Sequence, residues 1–319
     1  MSEDRRGETT DGKAYDGRPH PEADLAGVLI PSVTPFDPVT GEVDVVALRA
    51  NLRRWVAEPV RGIVVSGSTG EGVLLDPEER RRILEAARDV IPSYRLLIAG
   101  TGAESTRQTI RLTRDAAGTG ANAVLVQPPS FFRAQMDGRA LGNHYRTVAD
   151  ESPLPVILYQ VPLKFSTVEL PTGLVAELSE HPRVIGVKDS RGDLGALGKY
   201  LAHVTRNFQV LVGDGSRLYA AMEMGAVGGI LGVANLVPGE MAAILEAFRQ
   251  GRTGEAGRIQ ERVAPLHTGI VARYGAAGVK AALDLLGLKG GLPRAPLRGL
   301  DEKELAGMRG VLAAADLLS

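Results

Sequence analysis

Val184-Ile185-Gly186-Val187-Lys188-Asp189-Ser190 is the stretch on which the reading of this chain turns. Four apolar or small residues run into a lysine, as in a short buried strand that ends in a charged group at its C-terminal mouth. In an extended chain side chains alternate, so Val184, Gly186 and Lys188 share one face while Ile185 and Val187 share the other. Gly186 then leaves room on the lysine's own side. An amine at the mouth of an apolar strand is poorly solvated, which disfavours the ammonium form and leaves a nitrogen able to attack a carbonyl carbon. The product would be a Schiff base. Taken alone, Lys188 is more simply a solvated strand end, and the rest of the chain has to decide between the two readings.

Outward from this stretch the same unit recurs. Short apolar runs occupy residues 28–33, 62–66, 96–100, 123–127, 155–159, 184–188, 210–213 and 229–233. Helical patterns lie between them, at 104–116, 137–149, 171–179, 193–204, 216–224 and 238–248. The clearest helix start is Asp76-Pro77-Glu78-Glu79, with Asp as N-cap, Pro in the first helical position and acids in the first turn. Continuous apolar strands alternating with helices argue for a parallel sheet covered by helices. Eight such units favour a closed (β/α)8 TIM barrel over an open doubly wound sheet. Further helical patterns at 252–274, 278–286 and 301–318 exceed what a barrel needs and are expected to pack on it or on a neighbouring subunit. The expected organisation is a tail over 1–24, a barrel core over 25–236, and the last barrel helix with a C-terminal helical extension over 237–319.

Composition narrows the function. With 37 basic against 38 acidic residues and a net charge of −1, the chain has no electrostatic footprint for nucleic acid or an anionic membrane. The absence of cysteine excludes disulfides, thiolate catalysis and thiolate metal sites, and fits a reducing compartment. No apolar run approaches the roughly 20 residues needed to span a bilayer. The first 24 residues are polar and charged and are expected to be disordered; Glu3, Asp4, Glu8, Asp11 and Asp16 make them too acidic for a mitochondrial presequence. The expected location is the cytoplasm.

In a barrel the reactive residues lie at the C-terminal ends of the strands. After the second run comes Ser66-Gly67-Ser68-Thr69-Gly70-Glu71-Gly72, a glycine-rich turn able to aim N–H groups and two hydroxyls at a carboxylate or phosphate, or simply a tight turn. The fifth run ends in Tyr159-Gln160-Val161-Pro162, placing a phenol at the rim that carries Lys188, where it could move protons or merely bury its ring. After the fourth run, Phe131 and Phe132 could line a pocket or a subunit contact. The five histidines have no ligand spacing, so they are read as surface groups, and neither metal nor cofactor is expected.

Together these residues resemble the dihydrodipicolinate synthase and N-acetylneuraminate lyase superfamily, pyruvate-dependent class I aldolases on a (β/α)8 barrel. The likeness runs from about Gly27 to Leu318 and rests on Gly67-Ser68-Thr69-Gly70-Glu71, on Tyr159 with Pro162, and on Gly186-Val187-Lys188-Asp189-Ser190. The resemblance implies that Lys188 forms the imine, that Tyr159 is the acid/base, and that Ser68 and Thr69 hold the pyruvyl carboxylate. Gly67, Ile230, Lys164 and Ser190 complete the implied substrate-binding set. Several stretches, among them Lys188-Asp189-Ser190-Arg191-Gly192-Asp193, are most similar to 4-hydroxy-2-oxoglutarate aldolase. The family's strand-four loop usually sends a tyrosine into the neighbouring subunit's site; this chain has Phe131 and Phe132 there, and phenylalanine passes no proton. The family synthase also holds its acidic substrate with an arginine where this chain has Lys164.

The implied reaction makes or breaks a carbon–carbon bond between pyruvate and an aldehyde, with 4-hydroxy-2-oxoglutarate or a related 2-oxo acid as substrate. Lys164 or Arg133 is expected to meet a second carboxylate. Alternatives are dihydrodipicolinate synthase chemistry, a ligand-binding barrel that has lost turnover, and a sugar-phosphate enzyme with Gly213-Asp214-Gly215 and Gly228-Gly229 as a phosphate cup. The resemblance also implies a homo-oligomer, dimer or tetramer.

Overall fold

A computed structural model describes residues 24–318. The tail expected over 1–24 therefore lies, but for Asp24, outside the described residues. Eight strands, β1 (Val28–Pro31), β2 (Gly62–Val65), β3 (Leu96–Gly100), β4 (Ala123–Val126), β5 (Val156–Gln160), β6 (Val184–Asp189), β7 (Gln209–Val212) and β8 (Gly228–Ile230), pair in parallel in chain order. β8 pairs back to β1, so the barrel is closed, as the repeated unit led us to expect. Helices α1 (Val45–Val56), α2 (Pro77–Arg88), α3 (Thr106–Gly118), α4 (Gly138–Glu151), α5 (Thr172–Leu178), α6 (Leu194–His203), α7 (Leu218–Glu223) and α8 (Pro238–Arg249) follow the strands in turn. The strands have two apolar faces. Leu29, Val64, Ile98, Leu125 and Leu211 fill the interior, while Ile30, Ile63, Leu97, Val124 and Val210 pack outward on the helices.

β6 departs from simple alternation. Its register with β5 shifts between Val156 and Ile157, so that Val184 faces Val156 but Gly186 faces Ile157. The irregularity at Ile185 re-aims the side chains around it. Val184 and Val187 both belong to the outer layer and Ile185 packs against the interior, contrary to the alternation read from the sequence. The reason for glycine at 186 differs too. A Cβ there would come within 2.4 Å of the Gln209 carbonyl oxygen, so Gly186 makes room for the neighbouring strand β7 rather than for Lys188.

The helix starts have local causes. Asp76 accepts the Glu79 N–H at 2.8 Å while the Glu79 carboxylate accepts the Asp76 N–H at 3.0 Å, a capping box with Pro77 in the first turn. α1 lies where the sequence reading assigned no element; the Asp44 side chain caps it by accepting from the N–H groups of Val46 and Ala47. Beyond the barrel stand α9 (Thr253–Leu266), a π-helical turn over His267–Ala272, α10 (Arg273–Leu285) and α11 (Glu302–Ala314). The single helical pattern expected over 252–274 is thus broken. Pro265 has no N–H for the ladder, the π turn follows at once, and Gly275 kinks the chain at φ +61. Among the described residues, no helix is long and apolar enough to cross a membrane.

Candidate active site

Lys188 and Tyr159 are direct partners in the register of β6 and β5. Both are buried, and the lysine Nζ stands 4.2 Å from the centroid of the tyrosine ring. The phenol reaches across the barrel mouth to the turn after β2, where its oxygen lies 3.3 Å from Ser68 Oγ. That turn is tightly folded. Ser66 and Glu71 adopt left-handed conformations at φ +55 and +57, and a Cβ at Gly70 would come within 2.8 Å of the Ser32 carbonyl oxygen.

These groups open into a cavity of about 340 Å³ at the C-terminal end of the barrel. Of the residues expected at the site, Ser68, Thr69, Tyr159, Lys164, Lys188, Ser190 and Ile230 line it. Gly67 does not; its carbonyl accepts the Gly72 N–H and closes the turn. Arg133 sits on an exposed 3-10 turn after β4, away from the cavity, so of the two cations expected to meet a second carboxylate only Lys164 is in place.

The electrostatics isolate Lys188. Among the described residues, no carboxylate comes within ion-pair distance of its amine. The adjacent Asp189 is committed elsewhere. Its two oxygens accept Arg191 Nε at 3.0 Å and Nη2 at 2.6 Å, and the guanidinium also stacks over Tyr200 at 4.7 Å. Lys164 donates to the Ala272 carbonyl of the π turn, and burial pushes its pKa downward.

Two histidines occupy positions that were not anticipated, His267 on the cavity wall and His144 outside it. His267 was read as a surface histidine but is buried; its Nδ1 accepts the Gly215 N–H at 3.2 Å, which leaves Nε2 to donate to Asp214 Oδ1 at 3.0 Å. Burial lowers the His267 pKa against the opposing pull of Asp214. His144 is likewise buried, between α3 and α4, with Nδ1 2.9 Å from Thr106 Oγ1. Spacing along the chain carries no signal for either, because both positions are set by packing between elements distant in sequence.

Phe131 and Phe132 do not enter the cavity of their own chain. They are 79% and 66% exposed, stacked edge to face at 5.1 Å. The Glu104 carboxylate fixes the loop by accepting from the N–H groups of Ser130 and Phe131, both at 2.9 Å. A second, wider cavity of about 720 Å³ adjoins the first, and Ser68, Lys164 and Phe165 line both.

A closed parallel barrel with a buried amine, a phenol and paired hydroxyls at its C-terminal mouth has the parts for forming a ketone imine and moving protons beside it. Fold and site define a class of enzyme, the pyruvate-dependent aldolases and lyases that work through a lysine Schiff base. The family model described as the Dihydrodipicolinate synthetase family matches residues 24–315, and the chain belongs to that family. It is 36% identical over 289 residues to a probable mitochondrial 4-hydroxy-2-oxoglutarate aldolase of Emericella nidulans, covering 89% of this chain and 93% of that one. It is also 36% identical over 282 residues to 4-hydroxy-tetrahydrodipicolinate synthase 1 of Streptomyces coelicolor, covering 88% and 90%. Among solved structures, the chloride-inhibited dihydrodipicolinate synthase of Acinetobacter baumannii in complex with pyruvate superposes with a TM-score of 0.87 at 30% identity, covering 92% of this chain and 100% of that one. The synthase of Thermotoga maritima gives 0.87 at 26% identity, with 92% and 99% covered.

Proposed function

We propose that this enzyme cleaves, or in reverse assembles, a 4-hydroxy-2-oxo acid of the 4-hydroxy-2-oxoglutarate kind, with Lys188 as the imine-forming lysine. The observation that carries the reading is the in-register pair of Lys188 and Tyr159, with Ser68 3.3 Å from the phenol. The likeness to a synthase solved with pyruvate supports the choice of 2-oxo acid.

The substrate carboxylate docks on Ser68, Thr69 and the N–H groups of their turn, with Ser190 and Ile230 shaping the pocket around the reacting carbons. The Lys188 Nζ attacks the ketone carbon, and loss of water leaves a protonated imine that withdraws electrons from the bond between C3 and C4. Tyr159 accepts the proton of the 4-hydroxyl, the bond breaks, and an aldehyde leaves. The enamine is then protonated at C3 and hydrolysed to pyruvate and free lysine. Lys164, on the cavity wall, is the cation for a second carboxylate. The site needs no cofactor for these steps, because the imine itself is the electron sink.

A synthase reading, condensing pyruvate with aspartate semialdehyde, draws support from relatives so named at the same identity. Phe131 and Phe132 weigh against it, since neither supplies the phenol of the family's relay. The two are separated by assaying pyruvate release from 4-hydroxy-2-oxoglutarate beside condensation of pyruvate with aspartate semialdehyde. We expect kcat/KM to favour the cleavage by at least about tenfold. Faster condensation would replace this reading with the synthase one, and imine formation without either turnover would make the chain a ligand-binding barrel.

The exposed Phe131 and Phe132, with Val73 and Phe165 exposed beside the wider cavity, support a homo-oligomer, dimer or tetramer, in which this face meets a second copy. A cysteine-free composition favours a reducing compartment, and we read the enzyme as cytoplasmic.

A further inference from the structure

We infer that Glu71 and Lys280 form a buried staple that fixes the turn carrying Ser68 and Thr69 against α10, and thereby sets how tightly the substrate carboxylate is held; the inference rests on the pyruvate reading above. Glu71 lies two residues past Thr69, in a left-handed conformation that disfavours any residue with a Cβ. Its side chain explains why the turn stays there. One carboxylate oxygen accepts Lys280 Nζ at 2.6 Å and the other accepts the Arg294 N–H at 2.7 Å. Both members of the ion pair have wholly buried side chains.

The staple has further supports. Lys280 Nζ also donates to the Leu292 carbonyl at 2.9 Å and sits 4.2 Å from the centroid of the Phe36 ring. The Arg294 guanidinium lies over that ring too and makes two 2.6 Å bonds to Glu79, the capping-box residue of α2. Burial lowers the Lys280 pKa while Glu71 opposes that shift.

Position gives the pair its role. Neither Glu71 nor Lys280 lines the cavity that holds Lys188; Glu71 borders the wider cavity beside it, but the side chains of both are wholly buried. Instead the pair joins two walls of that cavity: the turn supplies Ser68 and Thr69, and α10 supplies Gly275 and Ala276. A buried ion pair is seldom more stabilising than well-packed apolar residues, so its contribution here is placement. The residues are 209 positions apart, and the staple is one of the contacts that couple the C-terminal extension to the chemistry.

The test uses the full chain and the double variant Glu71→Gln/Lys280→Met, in which no buried charge is left without its partner. Trapping of the pyruvate adduct with borohydride is followed against pyruvate concentration. We expect half-saturation to rise by about tenfold or more, while adduct formation at saturating pyruvate changes by less than about twofold. A group serving chemistry would lower the saturated rate instead. Unchanged half-saturation in the folded variant overturns the inference. Should the double variant not fold, Glu71→Asp keeps both charges and shortens the reach, and decides on the same readout: a severalfold rise supports the staple and no change removes it. Wild-type protein that yields no adduct refutes the pyruvate reading. In that event amide exchange decides the staple: turn residues 67–75 exchanging about tenfold faster in the variant, with β6 unaltered, uphold it, and equal exchange removes it.

Discussion

Tyr159 holds its ring beneath the Lys188 amine and its hydroxyl against Ser68, so removing one oxygen atom separates two steps of the reaction. Tyr159→Phe keeps the ring that packs against the lysine and loses the group that would move the proton. We expect the variant to form the pyruvate adduct while turnover falls by about 10²–10⁴-fold, as for loss of a positioned acid/base. Turnover within a factor of a few of wild type would remove Tyr159 from the proton path. At this scale the residues' own chemistry marked groups that the fold brings to one cavity: a lysine, a phenol and paired hydroxyls at the ends of β6, β5 and β2. The sequence was misread where a backbone neighbour mattered. Gly186 answers to the carbonyl of Gln209, on a strand that no spacing along the chain connects to it.

The elements were legible to different degrees. α2 announced itself through Asp76-Pro77-Glu78-Glu79, and the capping box is present. Its cap predicts that Asp76→Ala lowers stability by ~1 kcal/mol, measurable by urea unfolding. An unchanged midpoint would mean that the Arg294 contacts to Glu79 and Leu74 hold the helix start without the cap. α1 carries comparable signals, Asp44 before buried Ala47, Leu48, Leu52 and Trp55, so its start is marked in the sequence as well. The irregularity in β6 and the π turn after Pro265 are different. Both arise from how an element is pressed against its neighbours, and local periodicity records neither.

For the whole molecule, runs buried on both faces fit either a closed barrel or an open doubly wound sheet, and the repetition of eight units favours the closure that is observed. The placement of the C-terminal extension was not legible, because it depends on contacts such as Glu71 with Lys280 between distant segments. Buried histidines give the fold a pH dependence. Burial lowers the His144 pKa from 6.5 to about 4. Above pH 6.5 the ring is neutral in both states; as the pH falls from 6.5 toward 4 the unfolded chain binds a proton that the folded chain refuses, so stability declines across that window. Thermal unfolding should show the decline, and His144→Gln should flatten it. An identical pH profile in the variant would assign the acid sensitivity to other groups.

Imine formation between Lys188 and a 2-oxo acid can be caught by incubating the protein with pyruvate and sodium borohydride and locating the reduced adduct by peptide mass spectrometry. We expect an adduct of one pyruvate-derived group on Lys188, absent from a folded Lys188→Ala variant. An intact wild-type protein carrying no adduct, or one modified equally at other lysines, would contradict that expectation.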